Sequence, residues 1–220
     1  MDRRIALPFV VREGFKWYNR GIADPTPEMF ALETTYKLQD VRKGGHIFVD
    51  IGANMGLWTV IASAYFDHVY SFEPNPEVYE ILKKNLELNN VKNVTAENAA
   101  ISDHDGRLHL NRYYNHAWSS ALIAHNGREA EGEGWDAQSY QLDTVLLKDI
   151  VPTLVKIDTE GHEFNILNGM GRILRTQHPK LLMEIHSWKD YEPISHLLQD
   201  YGYIIRQPDL LHVIAEQWHR

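Results

Sequence analysis

The sequence predicts an α/β fold, with a doubly wound, Rossmann-like sheet of about seven strands, helices on both faces and the last strand antiparallel. Two observations predict it. Apolar strand patterns alternate with helical patterns at the spacing of βαβ units from residue 46 onward. The run FVDIGANMG at residues 48–56 also takes an apolar strand into a glycine-bearing turn before a helix. Such a turn lies at the carboxyl end of a strand, where open α/β sheets bind ligands.

The elements follow one another through residues 46–220, which we interpret as one domain. Asn75 and Pro76 form a typical helix start, and Val78, Ile81 and Leu82 then mark one helical face. Residues 106–111 are expected to add a short edge strand or hairpin. The predicted strands cover residues 47–50, 69–72, 94–97, 154–158, 181–185, 203–206 and 212–215, and the predicted helices cover residues 57–66, 76–89, 164–174 and 191–201.

Two segments fall outside this alternation. Residues 1–45 combine aromatic and charged residues with helix-like composition after Pro27, and they predict an N-terminal helical cover over the first strand. Residues 112–139 lack periodicity, contain several aromatic residues and are too long for a simple connection. We interpret this second segment as an acceptor-side loop or lid. The alternative is that its aromatic side chains only anchor the loop to the core.

Composition narrows the class of function. The 220 residues include 22 Lys and Arg against 30 Asp and Glu, for a formal charge of −8. That balance argues against a nucleic-acid substrate. The chain has no cysteine, which excludes disulfides, thiolate zinc sites and a cysteine nucleophile. No segment resembles a signal peptide or a membrane span, so we expect a cytoplasmic protein without a membrane partner. The oligomeric state is not indicated.

The glycine-bearing turn predicts a nucleotide-type cofactor site. Gly52 and Gly56 allow the backbone to approach a ligand, and Glu73, at the tip of the next strand, can accept two hydrogen bonds from a ribose diol. Asn54 stands where a dinucleotide fingerprint has its second glycine, which argues against NAD. Asp50 either orders the amino-acid end of the cofactor or holds the turn amides.

Polar residues also follow the later strands. Asn98, after the third strand, suits either a turn or a position beside the adenine. Asp158 and Glu160 follow the fourth strand and His186 follows the fifth, so these three are the candidate catalytic residues. The alternative for each acid is a cap on the following helix. Asp158 and Glu184 could also bind a divalent metal such as magnesium, although the spacing does not require one.

Several motifs together resemble one family. They are DIGANMG at residues 50–56, FEP at 72–74, NAAISD at 98–103, LDT at 142–144 and KIDTEGHE at 156–163. In this combination they are similar to the FkbM family of S-adenosylmethionine-dependent O-methyltransferases, within the class I methyltransferases. The resemblance implies S-adenosylmethionine as cofactor and a hydroxyl of a sugar, glycan or secondary metabolite as acceptor. It also implies that Glu33, Pro74 and Ala99 contact the cofactor.

The expected reaction needs an acceptor oxygen aligned with the methyl group and a group that takes up the hydroxyl proton. His186 and Asp158 are the favoured bases because each ends a central strand, with Glu160 as a further candidate. Three alternatives stay open. They are an N-methyltransferase, a non-catalytic cofactor-binding scaffold and an NAD-dependent oxidoreductase. The absence of an Asn/Asp-Pro-Pro-aromatic tetrapeptide after the fourth strand favours oxygen over nitrogen as acceptor.

Overall fold

A seven-stranded sheet forms the centre of the protein. The computed structural model describes residues 9–12, 14–18, 47–112, 119–120, 124–125, 128–129, 134–186, 188–207 and 212–217. The strands are β1 (Phe9–Arg12), β2 (Phe15–Tyr18), β3 (Ile47–Ile51), β4 (His68–Phe72), β5 (Val94–Glu97), β6 (Ala100–Ile101), β7 (Gly106–Arg112), β8 (Ser119–Ser120), β9 (Ala124–His125), β10 (Arg128–Glu129), β11 (Trp135–Tyr140), β12 (Leu154–Ile157), β13 (Lys180–Glu184), β14 (Tyr203–Arg206) and β15 (His212–Gln217).

Six helices accompany these strands in the described residues. They are α1 (Leu57–Ala62), α2 (Pro76–Leu88), α3 (Leu142–Val145), α4 (Glu163–Asn168), α5 (Gly171–Thr176) and α6 (Trp188–Asp200). The main sheet has the order β14-β15-β13-β12-β3-β4-β5. Its pairings from β13 to β5 are parallel, and β15 is antiparallel to both β13 and β14. The predicted fold, with its antiparallel last strand, is therefore confirmed.

Helices cover both faces of the sheet because successive strand side chains point to opposite sides. Val49 and Ile51 of β3 belong to one buried cluster, which also contains residues of α4, α5 and α6. Phe48 belongs to the other, which contains Leu57 and Trp58 at the start of α1. All three β3 residues are almost fully buried, as expected for a central parallel strand. The carboxyl ends of the strands are left to form the site.

A second sheet of four strands lies beside the first, in the order β6-β11-β7-β8. The sequence predicts β7 as an edge strand but not its partner β11, which pairs antiparallel with β7 from Trp135 to Ser139. The two ends of the predicted 112–139 loop thus belong to strands. Apart from three short strands, the rest of that loop lies outside the described residues.

The prediction of one continuous helix over residues 164–174 is wrong. Residues 164–174 form two short helices, α4 and α5, rather than one. Gly169 lies between them, and a Cβ atom at this position would meet the Ser102 carbonyl oxygen at 1.9 Å. Asp143 then accepts hydrogen bonds from the backbone N–H groups of Arg172 and Ile173, which satisfies the start of α5 from a distant segment.

An N-terminal hairpin, β1 and β2, packs against α2. The Asn89 side chain accepts from the Lys16 N–H at 2.8 Å and donates to the Lys16 carbonyl at 2.7 Å, as a neighbouring strand would. Asn85 accepts from the Tyr18 N–H at 2.7 Å, and Trp17 is buried. The predicted helix at residues 28–41 lies outside the described residues, so the N-terminal helical cover stays a prediction.

Candidate functional site

A cleft opens at the carboxyl ends of β3, β4 and β12, where the sequence places its candidate residues. It is lined by Ile51, Gly52, Asn54, Phe72, Glu73, Pro74, Ala99, Ala100, Ile101, Leu108, Leu110, Asp158, Thr159, Glu160 and His162. The lining combines apolar side chains with three carboxylates. We call the part formed by Asp158 and Glu160 the acidic end, and the part formed by the apolar residues 99–101, 108 and 110 the apolar end. Six of the predicted cofactor residues line it, namely Gly52, Asn54, Glu73, Pro74, Ala99 and Asp158.

The glycine-bearing turn forms the floor of the cleft. Gly52 has φ 74°, and a Cβ atom there would lie 1.8 Å from the Asp158 carbonyl oxygen. Only glycine therefore allows the turns after β3 and β12 to approach so closely. Asn54 also has a positive φ of 53°, a conformation that asparagine tolerates better than most residues. Gly56 begins α1 and does not line the cleft.

Glu73 is fixed at the tip of β4 by two backbone groups. Its Oε2 accepts from the Asn54 N–H and its Oε1 from the Asn75 N–H, each at 2.8 Å. Burial raises the pKa of Glu73 to about 7, against the lowering effect of these hydrogen bonds. Each carboxylate oxygen has a second lone pair, so the arrangement still permits hydrogen bonds to a ribose diol. The ribose contact stays a prediction.

Asp50 lies beneath the cleft rather than in its wall. Its side chain shares the face of β3 that α1 covers, and it is fully buried. Its Oδ2 accepts from Thr59 Oγ1 at 2.6 Å, and its Oδ1 lies 3.3 Å from Lys156 Nζ. Lys156 also donates to the Gly52 carbonyl at 3.0 Å and lies 3.3 Å from Asp158 Oδ2. Among the described contacts, Asp50 accepts from no turn amide and reaches the turn through Lys156. Both interpretations of Asp50 therefore stay predictions.

Lys156 keeps its proton in this setting. Burial lowers its pKa, but the nearby carboxylates of Asp158 and Asp50 outweigh that effect, so the pKa is raised overall. A buried ammonium thus links the glycine-bearing turn to the acidic turn after β12. The sequence gives one signal for it, since Lys156 is the single charged residue within an otherwise apolar strand.

The remaining predicted cofactor residues take different positions. Pro74 and Ala99 line the cleft. Asn98 does not, and its side-chain amide donates to the Glu73 carbonyl at 2.8 Å. Trp135, from the predicted lid, lies with Nε1 3.4 Å from the Pro74 carbonyl. Glu33 is outside the described residues.

The acidic end of the cleft contains the three predicted catalytic residues together. His186 Nε2 lies 3.4 Å from Glu160 Oε2, 3.7 Å from Asp158 Oδ1 and 3.4 Å from Glu184 Oε1. On the other side of the ring, Nδ1 lies 3.1 Å from Glu163 Oε1. Asp158 and Glu160 line the cleft, whereas His186 lies behind them.

Glu163 is a residue that the sequence analysis missed. It is fully buried in the first turn of α4. Besides contacting His186, its Oε1 accepts from the Gly161 N–H at 3.0 Å and from the Thr159 N–H at 3.4 Å. It therefore holds the turn that carries Asp158 and Glu160. The helix cap expected as the alternative role of Asp158 and Glu160 is not formed, because His162 is the N-cap of α4 and the helix start has no side-chain cap hydrogen bond.

The pKa values of His186 and Glu160 are both raised in this cluster. Burial lowers the pKa of His186, but its hydrogen bonds to Glu163 and Glu184 and the charges of Glu160 and Asp158 raise it more, to about 11. Burial raises the pKa of Glu160 to about 7, against the lowering effect of His186. The imidazolium is thus the cation that balances these carboxylates at neutral pH.

A metal ion at this cluster stays a prediction. Among the described residues, Asp158, Glu160 and His186 offer ligand atoms within 4.8 Å of one another. Glu184, predicted as a metal ligand with Asp158, contacts His186 and His212.

Within the described part of the chain, no helix is both long enough and apolar enough to cross a lipid bilayer.

Several known proteins are similar to this chain in sequence. A family model described as the methyltransferase FkbM domain matches residues 50–205. Hexuronic acid methyltransferase AglP of Haloferax volcanii is 28% identical over 159 residues. The match covers 69% of this chain and 60% of AglP, so the chain spans less than two thirds of that relative's length.

Two solved structures share the fold. The methyltransferase FkbM of Methylobacillus flagellatus has a TM-score of 0.58 at 19% identity, covering 78% of this chain and 43% of that one. A Streptococcus mutans protein solved in complex with SAH has a TM-score of 0.53 at 13% identity, covering 90% of this chain and 99% of that one. At these identities the likeness concerns the fold.

Proposed function

The chain belongs to the FkbM methyltransferase family, and from this premise we propose that it transfers the methyl group of S-adenosylmethionine to a hydroxyl oxygen of a sugar, a glycan or a secondary metabolite. The observation that carries the proposal is the single cleft in which the glycine-bearing turn and Glu73 meet Asp158 and Glu160. One end suits a nucleoside and the other suits an acceptor with a proton to lose. The hexuronic acid relative favours a sugar among these acceptors.

The cleft fits the cofactor chemically. Ala99, Ala100 and Ile101 provide apolar contacts for a purine, and Glu73 faces the cleft beside them with two carboxylate oxygens for a diol. Gly52 lines the cleft, and because it carries no side chain the turn after β12 packs directly against it. When bound, the cofactor supplies an electrophilic methyl group on a sulfonium. The chain's own residues must then position the acceptor and remove its proton.

Glu160 is the group best placed to take that proton. It lines the cleft, and its raised pKa of about 7 makes it a stronger base than an exposed glutamate while it still ionises near neutral pH. His186 holds its own proton among four carboxylates, and Asp158 is tied to Lys156. In this proposal Asp158 orients the acceptor, and His186 with Glu163 fixes the Glu160 carboxylate.

Cofactor binding is the first test of the proposal. Isothermal titration with S-adenosylhomocysteine should give micromolar affinity, and Glu73→Gln should weaken it about 10-fold or more, because a charge-assisted hydrogen bond contributes about 1.5–3 kcal/mol. Glu97→Gln, an exposed acid at the end of the adjacent strand β5, is the matched control and should bind like the wild type. If the folded wild-type protein does not bind S-adenosylhomocysteine, the proposal fails.

Methyl transfer is the second test. Radiolabelled S-adenosylmethionine is incubated with monosaccharides, glycans, hydroxylated secondary metabolites and amino-bearing peptides, and the labelled product is located by mass spectrometry. Label on a sugar oxygen supports the proposal. Label on an amino nitrogen instead would establish the N-methyltransferase alternative, and cofactor binding with no transfer to any class of acceptor would favour a non-catalytic scaffold.

A further inference from the structure

His162 lines the cleft, and it belongs to a short chain of hydrogen bonds that fixes its tautomer. Its Nε2 lies 2.8 Å from Ser102 Oγ, and Ser102 Oγ lies 3.0 Å from Asp103 Oδ1. A carboxylate can only accept, so the single hydroxyl proton of Ser102 is donated to Asp103. The Ser102 oxygen must then accept from His162, which places the ring proton on Nε2.

Two further facts keep this assignment in place. Asp103 is ionised, since hydrogen bonding to His104, together with Asn165 and Ser102, lowers its pKa to about 2. Burial lowers the pKa of His162, outweighing the opposite effect of Asp103 and Glu163. Neutral imidazole with a proton on Nε2 has a lone pair on Nδ1. His162 therefore offers the cleft a hydrogen-bond acceptor.

The position of this acceptor is set by Ser102. Ser102 directly follows Ile101, and the segment Ala99–Ile101 lines the cleft together with Leu108 and Leu110 of β7. These apolar residues form the slot next to Glu73. Under the proposed function, a ribose held by Glu73 directs its purine base into this slot. Among the described contacts, the one hydrogen bond of His162 uses Nε2, which leaves Nδ1 available to the base.

We infer that His162 determines the base specificity of the cofactor site, with Nδ1 accepting a hydrogen bond from the 6-amino group of adenine. A 6-oxopurine presents an oxygen at the same place, which would face the Nδ1 lone pair and leave both acceptors unpaired. Sites built around a buried hydrogen bond reject ligands that lack the matching group. Ser102 acts through His162 by holding the tautomer and is thus a positioning residue. This inference rests on the proposed function.

The test compares two ligands that differ only at this group. Isothermal titration should show that S-adenosylhomocysteine binds at least about 10-fold more tightly than S-inosylhomocysteine, its 6-oxo analogue, which corresponds to about 1.4 kcal/mol. His162→Phe keeps an aromatic ring of similar shape but removes the acceptor, and it should bring the two affinities within about 2-fold of each other. His196→Phe, an exposed position on α6, is the control and should keep the wild-type preference.

A measurement without ligand tests the tautomer. Two-bond ¹H–¹⁵N spectra at pH 7.5 distinguish the two neutral forms of histidine, and comparison with His162→Phe assigns the signal. The Nε2–H form is expected in the wild type, and Ser102→Ala should give a mixture of both forms. An Nδ1–H tautomer, a charged ring, or equal affinity for the two ligands would overturn the inference alone. If S-adenosylhomocysteine does not bind at all, the proposed function falls and the inference with it.

Discussion

Lys156 is a single buried ammonium that contacts the carboxylates of Asp50 and Asp158, each at 3.3 Å. Asp50 is fully buried, so its charge depends on this partner and on the hydroxyl of Thr59. Buried ion pairs add little net stability compared with apolar packing, but removing one partner leaves an uncompensated charge. The same lysine donates to the Gly52 carbonyl. It therefore couples the stability of the sheet to the shape of the cofactor turn.

Replacing this lysine should destabilise the fold strongly. Lys156→Met is expected to lower the free energy of unfolding by about 3 kcal/mol, because Asp50 keeps its burial and loses its cation. Chemical denaturation measures the change, and Lys148→Met, at an exposed position, is the control. Adding Asp50→Asn to Lys156→Met should restore part of the loss, since the two groups interact directly. A Lys156→Met protein as stable as the control would contradict this account.

The ionisation of Glu160 predicts how kcat depends on pH. In our proposal Glu160 takes up the hydroxyl proton of the acceptor, so it must be ionised. Because its pKa is raised to about 7, kcat should rise as the pH passes through 7 and then level off. Glu160→Gln should lower kcat by about 100-fold and remove this limb while leaving the affinity for S-adenosylhomocysteine unchanged.

Glu192→Gln, an exposed acid on α6, serves as the control for that measurement. His186, whose pKa is raised to about 11, would give a different profile if it were the base. In that case kcat would continue to rise above pH 9. A profile of that kind would return the role of base to His186.

The sequence identified some site residues and missed others for a physical reason. Glu73, Asp158 and Glu160 follow strands directly, and the ends of parallel strands meet at one edge, so their convergence was predictable. The partners of His186 and the tautomer of His162 depend on distances between elements far apart in the chain. His162 was visible in the motif after the fourth strand, but only its contact with Ser102 shows what it can do.

At the scale of elements, asparagine side chains form hydrogen bonds with backbone groups of neighbouring elements. The Asn89 amide pairs with both backbone groups of Lys16, and Asn85 joins the Tyr18 N–H to the Met55 carbonyl at 2.7 Å. Helix α2 thus connects the N-terminal hairpin to the cofactor turn. Periodicity predicted α2 correctly but not this role, because an asparagine on a helix surface is just as often exposed to solvent.

Removing one of these amides should loosen the hairpin selectively. In Asn89→Ala, amide hydrogen exchange at residues 15–18 is expected to increase about 30-fold, since two hydrogen bonds contributing about 1 kcal/mol each are lost. Exchange in β3 and β12 should not change. Asn168→Ala, whose amide contacts only its own helix, is the control. If residues 15–18 exchange as in the wild type, the hairpin is held mainly by the burial of Trp17.

For the whole molecule, the buried protons of the site determine how stability depends on pH. The doubly wound sheet with helices on both faces was predictable, since it follows from the alternation of strand and helix patterns. The pH response was not, because it depends on burial and on the carboxylates that surround one histidine. The exposed His104 has a raised pKa through its hydrogen bond to Asp103. Three carboxyl or imidazole groups in and behind the cleft also have folded-state pKa values above their ordinary ones. They are Glu73 and Glu160, raised from 4.5 to about 7, and His186, raised from 6.5 to about 11.

All three groups hold protons in the folded protein that the unfolded chain has released, so their contribution to stability falls as the pH rises. For the two glutamates, this contribution to stability is complete below pH 4.5 and is lost as the pH rises through about 7. For His186 it is complete below 6.5 and lost progressively up to about 11. The pKa of His162 is lowered instead, so its contribution to stability grows as the pH rises, but this change is complete above pH 6.5. Asp103, with its pKa lowered to about 2, changes nothing above 3.8.

Between pH 7 and 9, His186 should therefore dominate, and the protein without ligand should become less stable with each pH unit. One retained proton corresponds to about 1.4 kcal/mol per pH unit, so we expect a loss on the order of 1 kcal/mol per unit. Urea denaturation at constant ionic strength measures it. His186→Gln should flatten the dependence, whereas His196→Gln, on the exposed side of α6, should retain it. A wild-type stability that is constant or rises from pH 7 to 9 would mean that His186 is neutral, and the charge balance proposed for the acidic end of the cleft would then be wrong.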